Sequence, residues 1–281
     1  YSYTRFRKQF EMPIMKNEDA AARNRLRKMT APFLLRRSKS QVLSDLPEKD
    51  EKTIYSGMED EQRKLYLAAH KQLVDQLQGI DSAYYEKNKI FILSQLTKLR
   101  QICCHPALCY DDYQGSSAKL EACMELVQRA VKGKHKVLLF SQFTSMLDLI
   151  RERLAEQNTK YYCLTGNTDK QERQRLVDEF QNDDTPVFLI SLKAGGTGLN
   201  LTAADIVIHY DPWWNVAAQN QATDRAHRIG QKNTVTVYRL IAKDSLEEGI
   251  IKLQESKKAL SDDILSMDFG AIASMSKDEL L

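Results

Sequence analysis

Five short apolar runs, separated by stretches with a helical period, constrain this chain more than any other feature. Lys136–Phe140 (KVLLF), Tyr161–Leu164, Val187–Ser191 (VFLIS), Ile206–Tyr210 (IVIHY) and Thr234–Ile241 (TVTVYRLI) read as buried strands. Between them the pattern predicts helices at about 144–157, 169–181 and 216–228, with another starting near Ser245. Thr168 and Gln171 have capping-box spacing, and Gly230 suits the end of a helix. Strands alternating with helices imply crossover units, and hence an α/β fold with a parallel β-sheet covered by helices on both faces. Ligands of such sheets gather at the carboxyl ends of the strands.

The preceding part, 1–115, reads as helical and irregular. Ser56 and Glu59 suggest a cap before a helix at about 59–78. Ile92, Leu96, Leu99 and Cys103 recur at steps of four, three and four, a second helical stripe. Asp111–Ser117 (DDYQGSS) is turn-rich and reads as a linker. The expected division is a helical N-terminal protrusion and linker over 1–115, the α/β lobe over 116–261, and a C-terminal tail over 262–281 forming a helical strap.

Bulk properties exclude several classes. No run of about 18 apolar residues suggests a membrane span, and the N-terminus has no apolar signal core. Five cysteines are an odd number, and adjacent Cys103 and Cys104 are poor partners for one another, so a reduced intracellular protein is expected. His105 and Cys109 lie nearby, but no second ligand pair stands at zinc spacing, and no metal site is expected. The net charge is only +3, yet residues 1–40 carry eleven Lys or Arg against three acids. That concentration suits a polyanion such as nucleic acid, although from charge alone a solvated helix face is the favoured reading.

Three constellations stand at the expected strand ends. Ser191–Asn200 (SLKAGGTGLN) follows the third strand, and its glycines would let backbone N–H groups approach a phosphate. A dinucleotide site is the rival reading, but Leu199–Asp205 is too short for the crossover helix that site needs. Gln219–Gln231 (QNQATDRAHRIGQ) places Arg225 and Arg228 three apart, as neighbours on a helical face. Two guanidinium forks so placed could neutralise charge on a transferring phosphoryl group. Asp211–Asn215 (DPWWN) sets Trp213 and Trp214 after the fourth strand, where one could stack on a base or both could be core. Equally informative, there is no G-x-x-x-x-G-K-[ST] phosphate loop and no strand ending in paired acids. Arginine fingers without that loop cannot complete a phosphoryl-transfer site.

The run AGGTGLNL, DPWWN and QATDRAHRIGQ closely resembles the C-terminal, RecA-like lobe of Swi/Snf-related ATPases of helicase superfamily two. Lys136–Met146 (KVLLFSQFTSM), Leu164–Phe180, Leu99–Pro106 (LRQICCHP), Phe33–Lys39 (FLLRRSK) and Leu46-Pro47 extend the resemblance over nearly the whole chain. The resemblance implies that Arg225 and Arg228 act as fingers on ATP phosphates. It implies that Gly196, Gly198, Gln221 and Asp224 serve ATP binding and coupling at the interface between lobes. It assigns Gln142, Thr165, Gly166, Arg173, Lys193, Thr197 and Trp214 to the DNA-tracking face. The implied cofactors are ATP and Mg²⁺, held mainly by a first lobe with a P-loop lysine. The implied partners are double-stranded DNA, that N-terminal RecA-like lobe, and a protein–DNA complex as remodelling target. The short tail looks more like bacterial members, which implies a cytoplasmic setting; a eukaryotic source would imply the nucleus. A non-catalytic nucleic-acid-binding or interaction domain remains the alternative, supported by the basic residues 1–40. A self-contained nucleotide enzyme is disfavoured by the absent phosphate loop.

Overall fold

The computed structural model of the chain describes residues 2–17, 19–30, 46–77, 82–192, 194 and 198–261. The described residues fall in two compact units, one holding those before 31 together with 256–261, the other holding those of 46–255. In the first, helix α1 (Tyr3–Phe6) passes through a π-helical turn, Arg7–Glu11, into α2 (Met12–Asn17). Helix α3 (Ala20–Thr30) follows, capped by the Asp19 carboxylate, which accepts from the N–H groups of Ala21 and Ala22 at 2.8 and 3.0 Å. Phe10 is buried beneath Phe6 and the Arg25 guanidinium.

In the second unit, six described strands form one all-parallel sheet: β1 (Lys49–Ser56), β2 (Val137–Ser141), β3 (Tyr161–Leu164), β4 (Val187–Ser191), β5 (Ile206–His209) and β6 (Val235–Ala242). Their order across the sheet is β1-β6-β5-β2-β4-β3. The helices are α4 (Asp60–Leu77), α5 (Ser82–Cys104), α6 (Ala118–Lys132), α7 (Thr144–Glu156), α8 (Lys170–Asn182), α9 (Val216–Thr223) and α10 (Leu246–Ser261).

Strand side chains alternate between two cores. Val137, Leu139, Val187, Leu189 and Ile208 face α6 and α7, whose Val127, Met146, Leu147 and Ile150 are buried against them. Leu138, Phe140, Phe188, Ile190 and Val207 face the other way, toward Leu176, Val177 and Phe180 of α8. Strands covered on both faces need apolar residues at every position, which is why β2 and β4 read as unbroken apolar runs. Helices α4 and α5 form a third core: Tyr66, Leu73 and Leu77 pack with Ile92, Leu96, Leu99 and Cys103. The four-three-four stripe read from the sequence is thus the buried face of α5.

Four local expectations differ from the structure. The stretch read as helical and irregular contains β1, which lies parallel to β6 at the sheet edge, Lys49 opposite Val235 through Ser56 opposite Ala242. Ser56 caps no helix; it ends that strand, and its carbonyl accepts from the N–H of Lys243. The cap of α8 is Asp169, whose carboxylate accepts from Gln171 and Glu172 N–H at 2.8 and 3.0 Å, while the Thr168 hydroxyl accepts from Thr165 N–H. A charged acceptor at the helix N-terminus outcompetes a neutral hydroxyl one residue earlier. Finally, α9 stops at Thr223 rather than near 228, so Arg225 and Arg228 lie on turns. The FLLRRSK segment and the strap over 262–281 lie outside the described residues.

Candidate functional site

The chain reverses direction across the sheet at β2 and β5. Strands β3 and β4 lie on one side of β2, and β5 and β6 on the other. The crevice at such a switch point is the natural ligand position of an open parallel sheet. Here the two strand ends are tied together. Ser141 Oγ donates to Asp211 Oδ1 at 2.5 Å, and the Gln142 N–H donates to the same carboxylate at 3.2 Å. Asp211 is buried; burial raises its proton affinity, and the Arg100 guanidinium and the Ser141 hydroxyl oppose that shift.

Arg100 reaches this crevice from the end of α5. Its Nη1 donates to Gln142 Oε1 at 2.9 Å and its Nη2 to the Pro212 carbonyl at 2.5 Å, with Asp211 Oδ2 3.7 Å away. The same guanidinium lies 5.5 Å from the Trp214 ring centre and 5.7 Å from that of Phe143. A planar cation can hold a carbonyl, an amide and two rings at once, which a lysine cannot. Gln142 and Trp214, from strand ends far apart in sequence, are therefore held by one buried side chain. Both tryptophans of DPWWN are half-buried. Trp213 is fixed through its backbone, its N–H donating to Gln219 and its carbonyl accepting from Gln254.

The glycine-rich stretch after β4 is held at both ends. At its start the Arg173 guanidinium donates to the Ala194 carbonyl at 2.9 Å, and Leu192 N–H donates to the Ser141 carbonyl. At its far end Leu201 N–H donates to the Arg225 carbonyl at 3.0 Å. A Cβ on exposed Gly198 would meet nothing within 4 Å, so no contact inside the described chain requires glycine there. Lys193, Gly196 and Thr197 lie outside the described residues.

The arginine segment is a run of turns. Asp224 to Arg228 are linked by short-range bonds such as Arg225 N–H to the Ala222 carbonyl, and Gly230 adopts φ +101°, a left-handed conformation that glycine takes at little cost. The two arginines differ in presentation. Arg225 is 7% exposed, and burial, followed by the Arg228 guanidinium, lowers its proton affinity. Arg228 and Gln221 are exposed, and Asp224 is half-buried. His227 Nε2 contacts the Pro47 carbonyl at 2.8 Å, which fastens these turns to the chain just before β1.

His209, the last residue of β5, links the sheet to the start of these turns. Its Nε2 lies 2.9 Å from the Thr223 hydroxyl, and its ring stacks on Phe140. Burial, and then the nearby Arg239 charge, push its pKa down from 6.5 to about 3. A depressed pKa stabilises the fold above 6.5 and loses that contribution as pH falls toward 3. Lowering the pH from 7 to 5 is expected to cost the wild-type chain about 2 kcal/mol more than the His209→Gln variant. Urea unfolding at both pH values measures the difference.

A polar joint lies beneath the site. Lys119 Nζ sits 2.6 Å from both carboxylate oxygens of Glu247, and Oε2 also accepts from the Ala242 N–H at 2.7 Å. Burial alone would lower the Lys119 pKa; the Glu247 carboxylate reverses that, and the net shift is upward. The Tyr210 ring lies 5.3 Å from the ammonium, and its hydroxyl and that of Ser117 both donate to the Cys104 carbonyl at 2.9 Å. The joint connects α5, α6, α10 and the end of β5.

Of the residues singled out in the sequence, Gln142 and Trp214 are brought together by Arg100 beyond the ends of β2 and β5, Arg173 is joined to the start of the glycine-rich stretch at Ala194, and the arginine turns are tied to Leu201 and Pro47, which precede β5 and β1. Thr165 and exposed Gly166 stand at the end of β3, the sheet's other border. Arg100, Ser141 and Asp211 lie within the motifs, but nothing in the sequence marks their roles, because their partners lie far away along the chain. Cys103, Cys104 and His105 hold no ligand set: the cysteines are buried and free, and His105 Nδ1 accepts from the Ala107 N–H. Among the described residues no group of three or more His, Cys, Asp or Glu is placed to hold a metal.

Known proteins share this fold. Residues 118–230 match the helicase conserved C-terminal domain and residues 1–108 the SNF2-related domain. The chain is 41% identical to a putative ATP-dependent helicase/translocase, YwqA, of Bacillus subtilis, over 99% of its own length and 31% of that protein's. It spans less than a third of the curated relatives it matches. It is 37% identical to the Sulfolobus solfataricus SWI2/SNF2 ATPase core in complex with double-stranded DNA, with a TM-score of 0.70, covering 99% of this chain and 59% of that one. The isolated Sulfolobus C-terminal domain is matched at 34% identity and a TM-score of 0.68, over 83% of this chain and 96% of that one. The six-stranded parallel sheet with its strand-end motifs is therefore the RecA-like fold of a SWI2/SNF2 helicase C-terminal domain, and the chain belongs to that family.

Proposed function

We propose that this chain is the second motor lobe of an ATP-dependent translocase on double-stranded DNA. The arginine turns carry the proposal: exposed Arg228 stands beside Arg225, whose proton affinity burial and its neighbour depress. A guanidinium fork at the surface can grip phosphate oxygens in two places, and the sequence has no phosphate loop of its own. The ATP is bound by the P-loop lobe, and closure of the two lobes brings Arg228 onto its γ-phosphate. Gln221 and Asp224 border the same interface. Mg²⁺ is held mainly by the P-loop lobe in this reading, and this chain's part is charge neutralisation. Gln142, Thr165, Gly166, Arg173, Lys193, Thr197 and Trp214 form the face along which one DNA strand tracks, phosphate contacts supplying most of the affinity.

The relative named as a helicase/translocase and the neighbour solved with double-stranded DNA support this reading. A protein–DNA complex is the proposed remodelling target, and the bacterial relatives favour a cytoplasmic setting. The test is DNA-stimulated ATP hydrolysis by this chain alone and by the full-length protein with its P-loop lobe. Silence alone with strong stimulation in the full-length protein is expected. Robust hydrolysis by the isolated chain would overturn the half-site reading, and silence in both would favour a non-catalytic binding module.

A further inference from the structure

We infer that Arg100 is a positioning residue for the DNA-tracking face, acting through Gln142 and Trp214 and touching no nucleotide itself, an inference resting on the translocase reading above. Arg100 is 4% exposed, so its guanidinium is not presented to a phosphate. The helix that carries it is fixed from the other side: Leu96, Leu99 and Cys103 of α5 are buried with Tyr66, Leu73 and Leu77 of α4. From that anchored helix the fork crosses to the ends of β2 and β5. Nη1 donates to Gln142 Oε1 at 2.9 Å and Nη2 to the Pro212 carbonyl, while the buried Asp211 carboxylate, 3.7 Å away, balances the charge.

An arginine only donates, so it dictates which way the Gln142 carboxamide faces: oxygen toward Arg100, nitrogen away. The side-chain nitrogen of Gln142 makes no hydrogen bond among the described residues. The orientation of that amide is therefore imposed by Arg100 and not by bonds of its own. The same guanidinium lies over the Trp214 ring, 5.5 Å from its centre, and occupies one face of the indole. The opposite face is the one left for a nucleotide to stack on. Gln142 and Trp214 are both half-buried and stand just past the ends of β2 and β5, where a parallel sheet takes its ligands. One buried fork thus sets the direction of a hydrogen-bonding group and the tilt of a stacking group on the same face. A lysine retains a charge opposite Asp211 but cannot hold the amide, the carbonyl and the ring together.

The test follows ATP hydrolysis by the full-length protein as duplex DNA is titrated, for wild type, Arg100→Lys and Arg100→Ala. The lysine variant keeps a cation beside Asp211, so it reads out position if the alanine variant does not fold. Both substitutions are repeated in a background carrying Gln142→Ala and Trp214→Ala. For Arg100→Lys the expected result is a half-maximal duplex concentration raised about ten-fold, the scale of one lost base–aromatic stack, with the rate at saturating duplex close to wild type. In the double-alanine background the same substitution leaves that concentration nearly unchanged, because the groups it acts through are gone. An unchanged half-maximal concentration in Arg100→Lys, a rise that persists in the double-alanine background, or failure of both Arg100 variants to fold makes Arg100 a structural residue only and overturns the inference. Wild-type duplex affinity in the double-alanine protein overturns it as well, by taking Gln142 and Trp214 off the DNA. A wild-type protein with no DNA-stimulated hydrolysis would instead remove the translocase reading, and this inference with it.

Discussion

Replacing Arg228 by alanine in the full-length protein is expected to lower DNA-stimulated ATP hydrolysis by about a thousandfold, the lower range measured for arginine fingers, while leaving DNA affinity within a few-fold. Arg228 is the exposed member of the pair, and no ion pair is described for it, so the substitution removes charge from the surface without opening the core. Arg225 is different: its side chain is buried and its carbonyl holds Leu201. Arg225→Ala should therefore lose stability as well as activity, and Arg228→Ala activity alone. Arg228→Lys keeps the charge but loses the planar fork, and recovers only part of the rate. Single-turnover hydrolysis alongside fluorescence anisotropy with duplex DNA separates these outcomes. Normal turnover in Arg228→Ala would sink the finger assignment.

The second large effect is on stability. Lys119→Met is expected to destabilise the chain by about 3–5 kcal/mol, because it strands the buried Glu247 carboxylate with one backbone N–H and no cation. Removing both charges, as Lys119→Met with Glu247→Leu, should restore most of the loss, since a buried pair is worth little against well-packed apolar side chains. Urea unfolding of the two single variants and the double variant gives the coupling energy directly. Equal losses in the single and double variants would show that volume and packing, rather than uncompensated charge, govern the joint.

Most of the sheet was legible because its central strands are covered on both faces. Burial on both sides forces runs such as VFLIS, and no other element of this length looks like that. Strand β1 was hidden for the converse reason. Four of its eight residues, Lys49, Asp50, Glu51 and Lys52, are charged, and they sit at an exposed edge where charge is tolerated and discourages pairing with other molecules. The early end of α9 was equally invisible. Its residues have ordinary helical character, and just past its end the Arg225 carbonyl is taken by Leu201 N–H, a tertiary interaction. The motifs supplied the candidate residues, but the side chains that hold them in place could not be read locally. Arg100 contacts Pro212, 112 residues away, and Lys119 contacts Glu247, 128 residues away, and neither partner announces itself by spacing.

The edge position of β1 also sets the order in which this protein can be made. The strand leaves the ribosome before the other described strands, yet β6, with which it pairs, is synthesised only after the motif-bearing strands between them. His227 reaching back to Pro47 spans 180 residues, and Leu246 reaching Tyr66 spans another 180. Contacts of such long range make closure of the sheet a late and slow event. Until then β1 waits without a partner, and its cluster of lysine and acidic side chains keeps the nascent chain from joining another in the interval. Trimming the protein to its motif-bearing half would leave the flank of β6 bare and replace a slow intramolecular closure with a fast intermolecular one.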